Sequence, residues 1–179
     1  MDMEAHVSAL LRGIGEDEDR DGLRETPHRF VRALVEMTQG YRQNPKQILK
    51  TFPLEGSAGI VAVRAIPYAS LCEHHLLPFT GHAAVAYIPH DRIVGLSKIP
   101  RLVQCFAQRL QVQERLTSEI ADAMADQLQA LGVAVVLHGE HSCMRIRGIR
   151  CTGNMVTSEM RGVFRSDASA RAEVLETLR

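Results

Sequence analysis

The sequence predicts an α+β domain in which an antiparallel β-sheet carries its helices on one face. Two pairs of segments, 60–69 with 81–88 and 133–147 with 156–164, read as extended chain, and segments of helical periodicity lie between and around the pairs. No repeat, low-complexity run or flexible linker divides the 179 residues, so the order β-β-α-α-β-β belongs to one folding unit. From the amino end, residues 4–11 form a short amphipathic helix, followed by a charged turn over 15–22. Thr26 then reads as an N-cap with Pro27 at the first helical position, and Phe30, Leu34 and Met37 follow on one face, which places Arg29 in the first turn. Segment 60–69 pairs with 81–88 as an antiparallel neighbour, the latter closed by Pro89-His90-Asp91. After Gly95-Leu96-Ser97-Lys98, helical spacing returns through Leu102, Cys105 and Phe106, and again through Leu116, Ile120, Met124, Leu128 and Leu131, with Gly132 as the stop. Residues 133–147 read as a long strand, 156–164 as its partner and 168–178 as a closing helix. We divide the chain into an N-terminal helical region, 1–45, and the sheet-bearing unit, 46–179. A sheet this small leaves its edge strands open, which predicts closure by neighbouring subunits.

Composition excludes several function classes. Lysine plus arginine equals aspartate plus glutamate at 21 each, so no whole-chain field draws in nucleic acid or an anionic membrane. Any anion site must be assembled locally. Tryptophan is absent and aromatic content is 4%, which argues against a base-stacking surface. The amino end, Met1-Asp2-Met3-Glu4, is acidic and lacks the basic and apolar regions of a secretory signal. The longest apolar stretch, 130–137, is too short to span a bilayer. The expectation is a cytoplasmic protein whose four cysteines, Cys72, Cys105, Cys143 and Cys151, are reduced thiols in metal sites or core rather than a disulfide framework.

The densest chemical signal is Cys72-Glu73-His74-His75. A thiolate and an imidazole three positions apart reach one metal from a single turn, and zinc accepts both. A second signal is His141-Ser142-Cys143. If the strand runs to Arg147, then His141, Cys143, Arg145 and Arg147 share one of its faces. Cys72, His75 and Cys143 together make three soft and borderline ligands that leave the fourth tetrahedral position to water, with His74 and His141 left over as proton carriers. Spacing alone admits two other readings: a closed structural zinc with His74 or His141 as fourth ligand, and inert buried thiols without metal. Cys105, at helical spacing between Leu102 and Phe106, reads as core. A polar and cationic set follows: Ser97, Lys98 and Arg101 at one helix start, Gln113-Glu114-Arg115 at the next, and Arg147. Several cations converging on one point suit a triphosphate, whereas each alone is an ordinary surface charge. A carboxylate such as Glu114 can accept from the N1 and exocyclic amino groups of guanine, or can simply sit at a helix start.

In these motifs the chain resembles the GTP cyclohydrolase I family. The matching stretches are Thr26-Pro27-His28-Arg29, Ser70-Leu71-Cys72-Glu73-His74-His75, Val85-Ala86-Tyr87-Ile88-Pro89, Gly95-Leu96-Ser97-Lys98, Gln111 through Thr117, His141-Ser142-Cys143, Arg147-Gly148-Ile149, and Val156-Thr157-Ser158 with Gly162-Val163-Phe164. Their order and joint occurrence are far more specific than any one of them. The resemblance implies Zn2+ on Cys72, His75 and Cys143, with His74 and His141 as catalytic histidines. It implies guanine recognition by Glu114 with Gln113 beside it, a ribose contact from Ser97, and triphosphate on Lys98, Arg101 and Arg147, with Arg29 reaching the site from a neighbouring subunit. It also implies a tunnelling fold (T-fold), in which subunit sheets join into a barrel, usually a homodecamer of two stacked pentamers. The reaction implied is hydrolysis of GTP at C8, releasing formate and forming 7,8-dihydroneopterin triphosphate, the first step towards tetrahydrofolate. Two rivals are a sister of the same fold that reduces a nitrile with a nicotinamide cofactor, and a zinc-stabilised binding module. The intact ligand set and the lack of a glycine-rich dinucleotide fingerprint speak against the first, and His74, His141 and Glu114 beside the ligands speak against the second.

Overall fold

The structure, a computed structural model, describes residues 2–179. Helices α1 (Met3–Gly13) and α2 (Thr26–Met37) lead into two 3-10 turns, Gln39–Arg42 and Pro45–Gln47. Strands β1 (Thr51–Pro53), β2 (Val61–Cys72), β3 (Pro78–Ile88) and β4 (Arg92–Val94) precede α3 (Lys98–Ala107), β5 (Leu110–Gln111) and α4 (Gln113–Leu128). The chain closes with β6 (Gly132–His141), α5 (Ser142–Arg145), β7 (Met155–Gly162), α6 (Val163–Ser166) and α7 (Ala168–Leu178). The main sheet has the order β5-β2-β3-β6-β7, antiparallel except where the short β5 runs parallel to β2 at one edge. The α+β class follows directly from the sequence pattern.

Alternation along the central strands separates two cores. Ile66, Tyr68, Val85, Tyr87, Val133, Val135 and Leu137 face α3 and α4, where Leu102, Leu116, Ile120 and Met124 are fully buried. Ala84, Ala86, Ala134 and Val136 point the other way, onto Phe164, Val174 and Leu178 of α6 and α7. The expectation of helices on one face therefore needs correction. Small alanines on the second face let the C-terminal helices settle close against it.

Three boundaries also differ from the sequence reading. Thr26 is the first residue of α2 and not its cap: Glu25 occupies that position, and the Thr26 hydroxyl donates back to the Gly22 carbonyl at 3.4 Å. Gly132 opens β6 instead of ending α4, which stops at Gln129 in the left-handed conformation, φ 49°. A Cβ on Gly132 would lie 2.8 Å from a Val163 methyl and 3.0 Å from the Phe164 ring, so the packing of α6 calls for glycine there. The strand expected over 133–147 ends at His141, because its partner β3 starts at Pro78 and the last pair in register is Phe79 with His141. With no ladder to continue, the chain coils into α5, and Cys143, Arg145 and Arg147 do not alternate on a strand face.

The register gathers the chemistry at one end of the sheet. Cys72 ends β2, Phe79 lies at the start of β3, His141 ends β6, and Gln113 opens α4 two residues after Gln111, the β5 residue that pairs with Cys72. Helices α1 and α2 pack on each other, burying Val7 and Pro27, yet leave Leu10, Ile14, Phe30 and Met37 exposed. No helix among the described residues is long and apolar enough to cross a membrane.

Candidate metal and active site

The turn between β2 and β3 is built to face two side chains one way. The Cys72 carbonyl accepts from the backbone N–H groups of His75 (3.3 Å) and Leu76 (2.8 Å), and the Cys72 N–H donates to the Leu77 carbonyl at 2.9 Å. Leu76 takes the left-handed conformation, φ 55°, to close it. This fold-back brings His75 Nδ1 to 3.8 Å and His74 Nδ1 to 3.9 Å from the Cys72 sulfur. The α5 turn delivers the third donor: ligand atoms of Cys72, His75 and Cys143 all lie within 4.8 Å of one another.

The donor set fits a tetrahedral zinc. Zinc–sulfur and zinc–nitrogen bonds of ordinary length subtend an S···N edge of about 3.6 Å, close to the separation of Cys72 and His75. Burial and the neighbouring Cys72 sulfur push the Cys143 thiol up from its ordinary pKa. Two thiolates so close repel one another, and a dication between them removes that cost. Cys72 is buried, Cys143 half-buried and His75 exposed, so the set has one open side.

Around this cluster the structure adds groups at two levels. His141 lies under the β3 strand with its ring stacked on Phe79, and its Nε2 is 3.0 Å from Gln113 Oε1. Burial pulls the His141 pKa down, partly opposed by the Glu114 carboxylate. Glu114 itself is exposed at the first turn of α4. Arg147 is also exposed and reaches the cluster through His75, Nη1 at 3.1 Å from Nε2. Arg115 pairs with Glu73, inside the ligand turn, and also donates to Gln111 Oε1 at 2.9 Å and to the Leu110 carbonyl at 3.1 Å. The guanidinium holds the Glu73 carboxyl below its ordinary range.

Other sequence candidates are elsewhere. Lys98 and Arg101 line a separate groove of about 460 Å³ with Gln43, Gln47 and Gln104. Ser97 caps the same end of α3, which leads away from the β4 side, where the Val94 N–H donates to Tyr87 Oη at 3.1 Å. The far end of α3 is the one near Ser70, whose hydroxyl donates to the Arg109 carbonyl at 3.2 Å. Ten residues of helix separate the two ends by about 15 Å. Arg29 is exposed on α2 and donates to Glu25, the residue in the cap position before that helix, at 2.5 Å. One copy of the chain thus unites Cys72, His74, His75, Gln113, Glu114, His141, Cys143 and Arg147, and leaves Ser97, Lys98, Arg101 and Arg29 apart.

Sequence reasoning missed Phe79 as a support for His141, and it missed the Glu73–Arg115 clamp. Glu73 inside the ligand motif and Arg115 beside Glu114 were both visible. Only the β5–β2 pairing, which brings the start of α4 to the ligand turn, turns them into a pair.

The model of the GTP cyclohydrolase I family matches residues 3–179. Relatives carrying the name GTP cyclohydrolase 1 include one from Synechococcus sp., 51% identical over 99% of this chain and 78% of that protein. Another, from Nitrosospira multiformis, is 52% identical over 93% of this chain and 88% of its own length. A third, from Acetivibrio thermocellus, is 49% identical over 97% and 94% respectively.

Proposed function

The chain belongs to the GTP cyclohydrolase I family, and from that premise we propose that it hydrolyses GTP at C8, releasing formate and forming 7,8-dihydroneopterin triphosphate. The observation that carries the reading is the convergence of Cys72, His75 and Cys143 within 4.8 Å at the sheet end where His74 and His141 also lie. Zinc in that set supplies Lewis acidity and lowers the pKa of water towards neutrality. His141, half-buried and poised below its ordinary pKa, exchanges a proton with N7 of the base, and His74 serves as a second proton carrier. Glu114 accepts from N1 and the exocyclic amino group of guanine, an acceptor pattern that adenine cannot satisfy. When His75 ligates through Nδ1 its Nε2 carries a hydrogen and no longer accepts from Arg147, so that guanidinium is freed for a phosphate oxygen.

Ser97, Lys98 and Arg101 complete the reading only when a second copy supplies them, with Ser97 on the ribose and the two cations, joined by Arg29, on the triphosphate. The open edge of β7 and the exposed apolar residues of α1 and α2 support assembly, which we read as a homodecamer of two pentamers with sheets joined in a T-fold barrel. The setting we assign is the cytoplasm, with the product committed to tetrahydrofolate synthesis. Incubation of the purified protein with GTP tests the reaction. Formate and a product that fluoresces after oxidation are expected, both abolished by a chelator and restored by zinc. A metal-replete protein that leaves GTP intact would refute it.

A further inference from the structure

Gln113 is fully buried, and every polar atom of its side chain is engaged. Its Nε2 lies 3.1 Å from the Leu137 carbonyl, 3.1 Å from the Met155 carbonyl and 3.2 Å from Thr157 Oγ1. Carbonyl oxygens only accept, so the amide nitrogen must face them and Oε1 must face His141. The two threonines close the remaining choice. Thr117 Oγ1 donates to the Gln113 backbone carbonyl at 2.6 Å, which leaves Thr157 as the donor in the 2.6 Å contact between the two hydroxyls. Thr157 Oγ1 is then an acceptor too, so the two N–H groups of the Gln113 amide face three acceptors and one hydrogen is shared between two of them. A flipped amide would set Oε1 against two carbonyl oxygens. The oxygen that faces His141 Nε2 at 3.0 Å can only accept, so Nε2 must carry the hydrogen.

We propose that Gln113 is a positioning residue that fixes His141 in the Nε2–H tautomer and so presents Nδ1 to the substrate. Nδ1 has no protein partner among the described residues. This departs from the expectation that Gln113 touches guanine, because a fully buried amide with its donors and acceptor spent has nothing to offer a base. Gly139 is part of the device: a Cβ there would stand 2.2 Å from Gln113 Oε1 and drive it off His141. The stacked Phe79 ring, 4.5 Å away and inclined by 6°, fixes the plane in which the imidazole meets that oxygen.

The proposal rests on the hydrolytic reading for its consequence, but its first test does not. The purified protein is labelled with 15N-histidine and its solid-state spectrum recorded, with the His141 signals assigned by difference from His141→Asn. A bare Nδ1 and a protonated Nε2 are expected in the neutral ring; a protonated Nδ1 overturns the proposal, whether or not GTP is turned over. In Gln113→Leu the His141 signals should divide between tautomers. Its kcat should fall about 100-fold while KM for GTP and zinc content hold. An unchanged kcat, or a raised KM at unchanged kcat, overturns it in favour of a packing or base-binding role. The wild-type spectrum decides the tautomer alone, so a Gln113→Leu chain that does not fold leaves the proposal refutable.

Discussion

His141 lies face to face with Phe79, ring centroids 4.5 Å apart and planes 6° from parallel. The contact arises because the two residues are the last pair in the β3–β6 ladder, so the strand register itself places the imidazole. Phe79 is 1% exposed and is touched edge-on by Tyr68, whose hydroxyl donates to the His138 carbonyl at 3.2 Å.

Replacing Phe79 with leucine keeps most of that volume while removing the flat surface. The expected result is a stability loss of about 1 kcal/mol, read by denaturant unfolding, with zinc content unchanged and kcat for formate release reduced. Wild-type kcat would show that Phe79 only fills the core.

Cys143→Ser replaces the donor carried by α5. A serine oxygen is a poor match for a zinc site that relies on thiolate, so metal content and turnover should fall together. Metal analysis after gel filtration, run beside a formate assay, reads both. A variant with a full complement of zinc would remove Cys143 from the ligand set.

Thiol counting separates the four cysteines. Cys151 is exposed and should react with a thiol reagent at once, while Cys72 and Cys143 should react only after a chelator strips the metal. Cys105 is 0% exposed, and burial pushes its thiol up, so at neutral pH it stays protonated and should react only in denaturant. Early release of three thiols from the metal-loaded protein would contradict the site.

How much of this was legible beforehand depends on whether a feature is local. Strands β2, β3, β6 and β7 and helices α3, α4 and α7 were readable because apolar period reports burial directly, whereas β1, β4 and β5, two or three residues each, are too short to show a period. Cys72 and His75 were readable as a candidate metal turn from their spacing, although spacing alone left a structural zinc and inert thiols open. The path that brings Cys143 to Cys72 was not: the sequence continues with β-compatible residues past His141, and the strand stops only because Pro78 ends its neighbour. The role of α7 was hidden for a similar reason, since Ala84, Ala86 and Ala134 look neutral until a helix is seen lying against them. Gln113 read as a residue beside the base, and only the β7 carbonyl of Met155 and Thr157, far along the chain, show its amide spent inside.

Arg115→Met should loosen the ligand turn without unfolding the chain. The Glu73–Arg115 pair is solvent-screened and adds little to folding, yet it sits beside Cys72 and braces the turn that carries His75. Zinc affinity, read by chelator competition, should weaken about 10- to 100-fold. The sign with pH follows from the depressed Glu73 carboxyl: the pair is intact above the usual carboxylate range and is lost as acidification passes the lowered folded value. Unchanged zinc affinity would reduce the pair to a surface contact.

The distance between the two halves of the proposed site gives the strongest test of assembly. In one copy, α3 holds Lys98 and Arg101 in their own groove, a helix length from the end of β2 that bears Cys72. If a second copy supplies those cations, a site is productive whenever its metal half and its cation half are both intact, even when they come from different defective chains. Cys143→Ser lacks the metal half and Lys98→Ala with Arg101→Ala lacks the other, so each alone should be inactive. Equal amounts of the two, unfolded together and reassembled at random, should recover about a quarter of wild-type activity, the chance that both halves of a site are sound. Mixing without reassembly serves as the control and should recover none. Were the halves contributed by one chain after a rearrangement of α3, no mixture could regain activity, because every chain would carry one broken half.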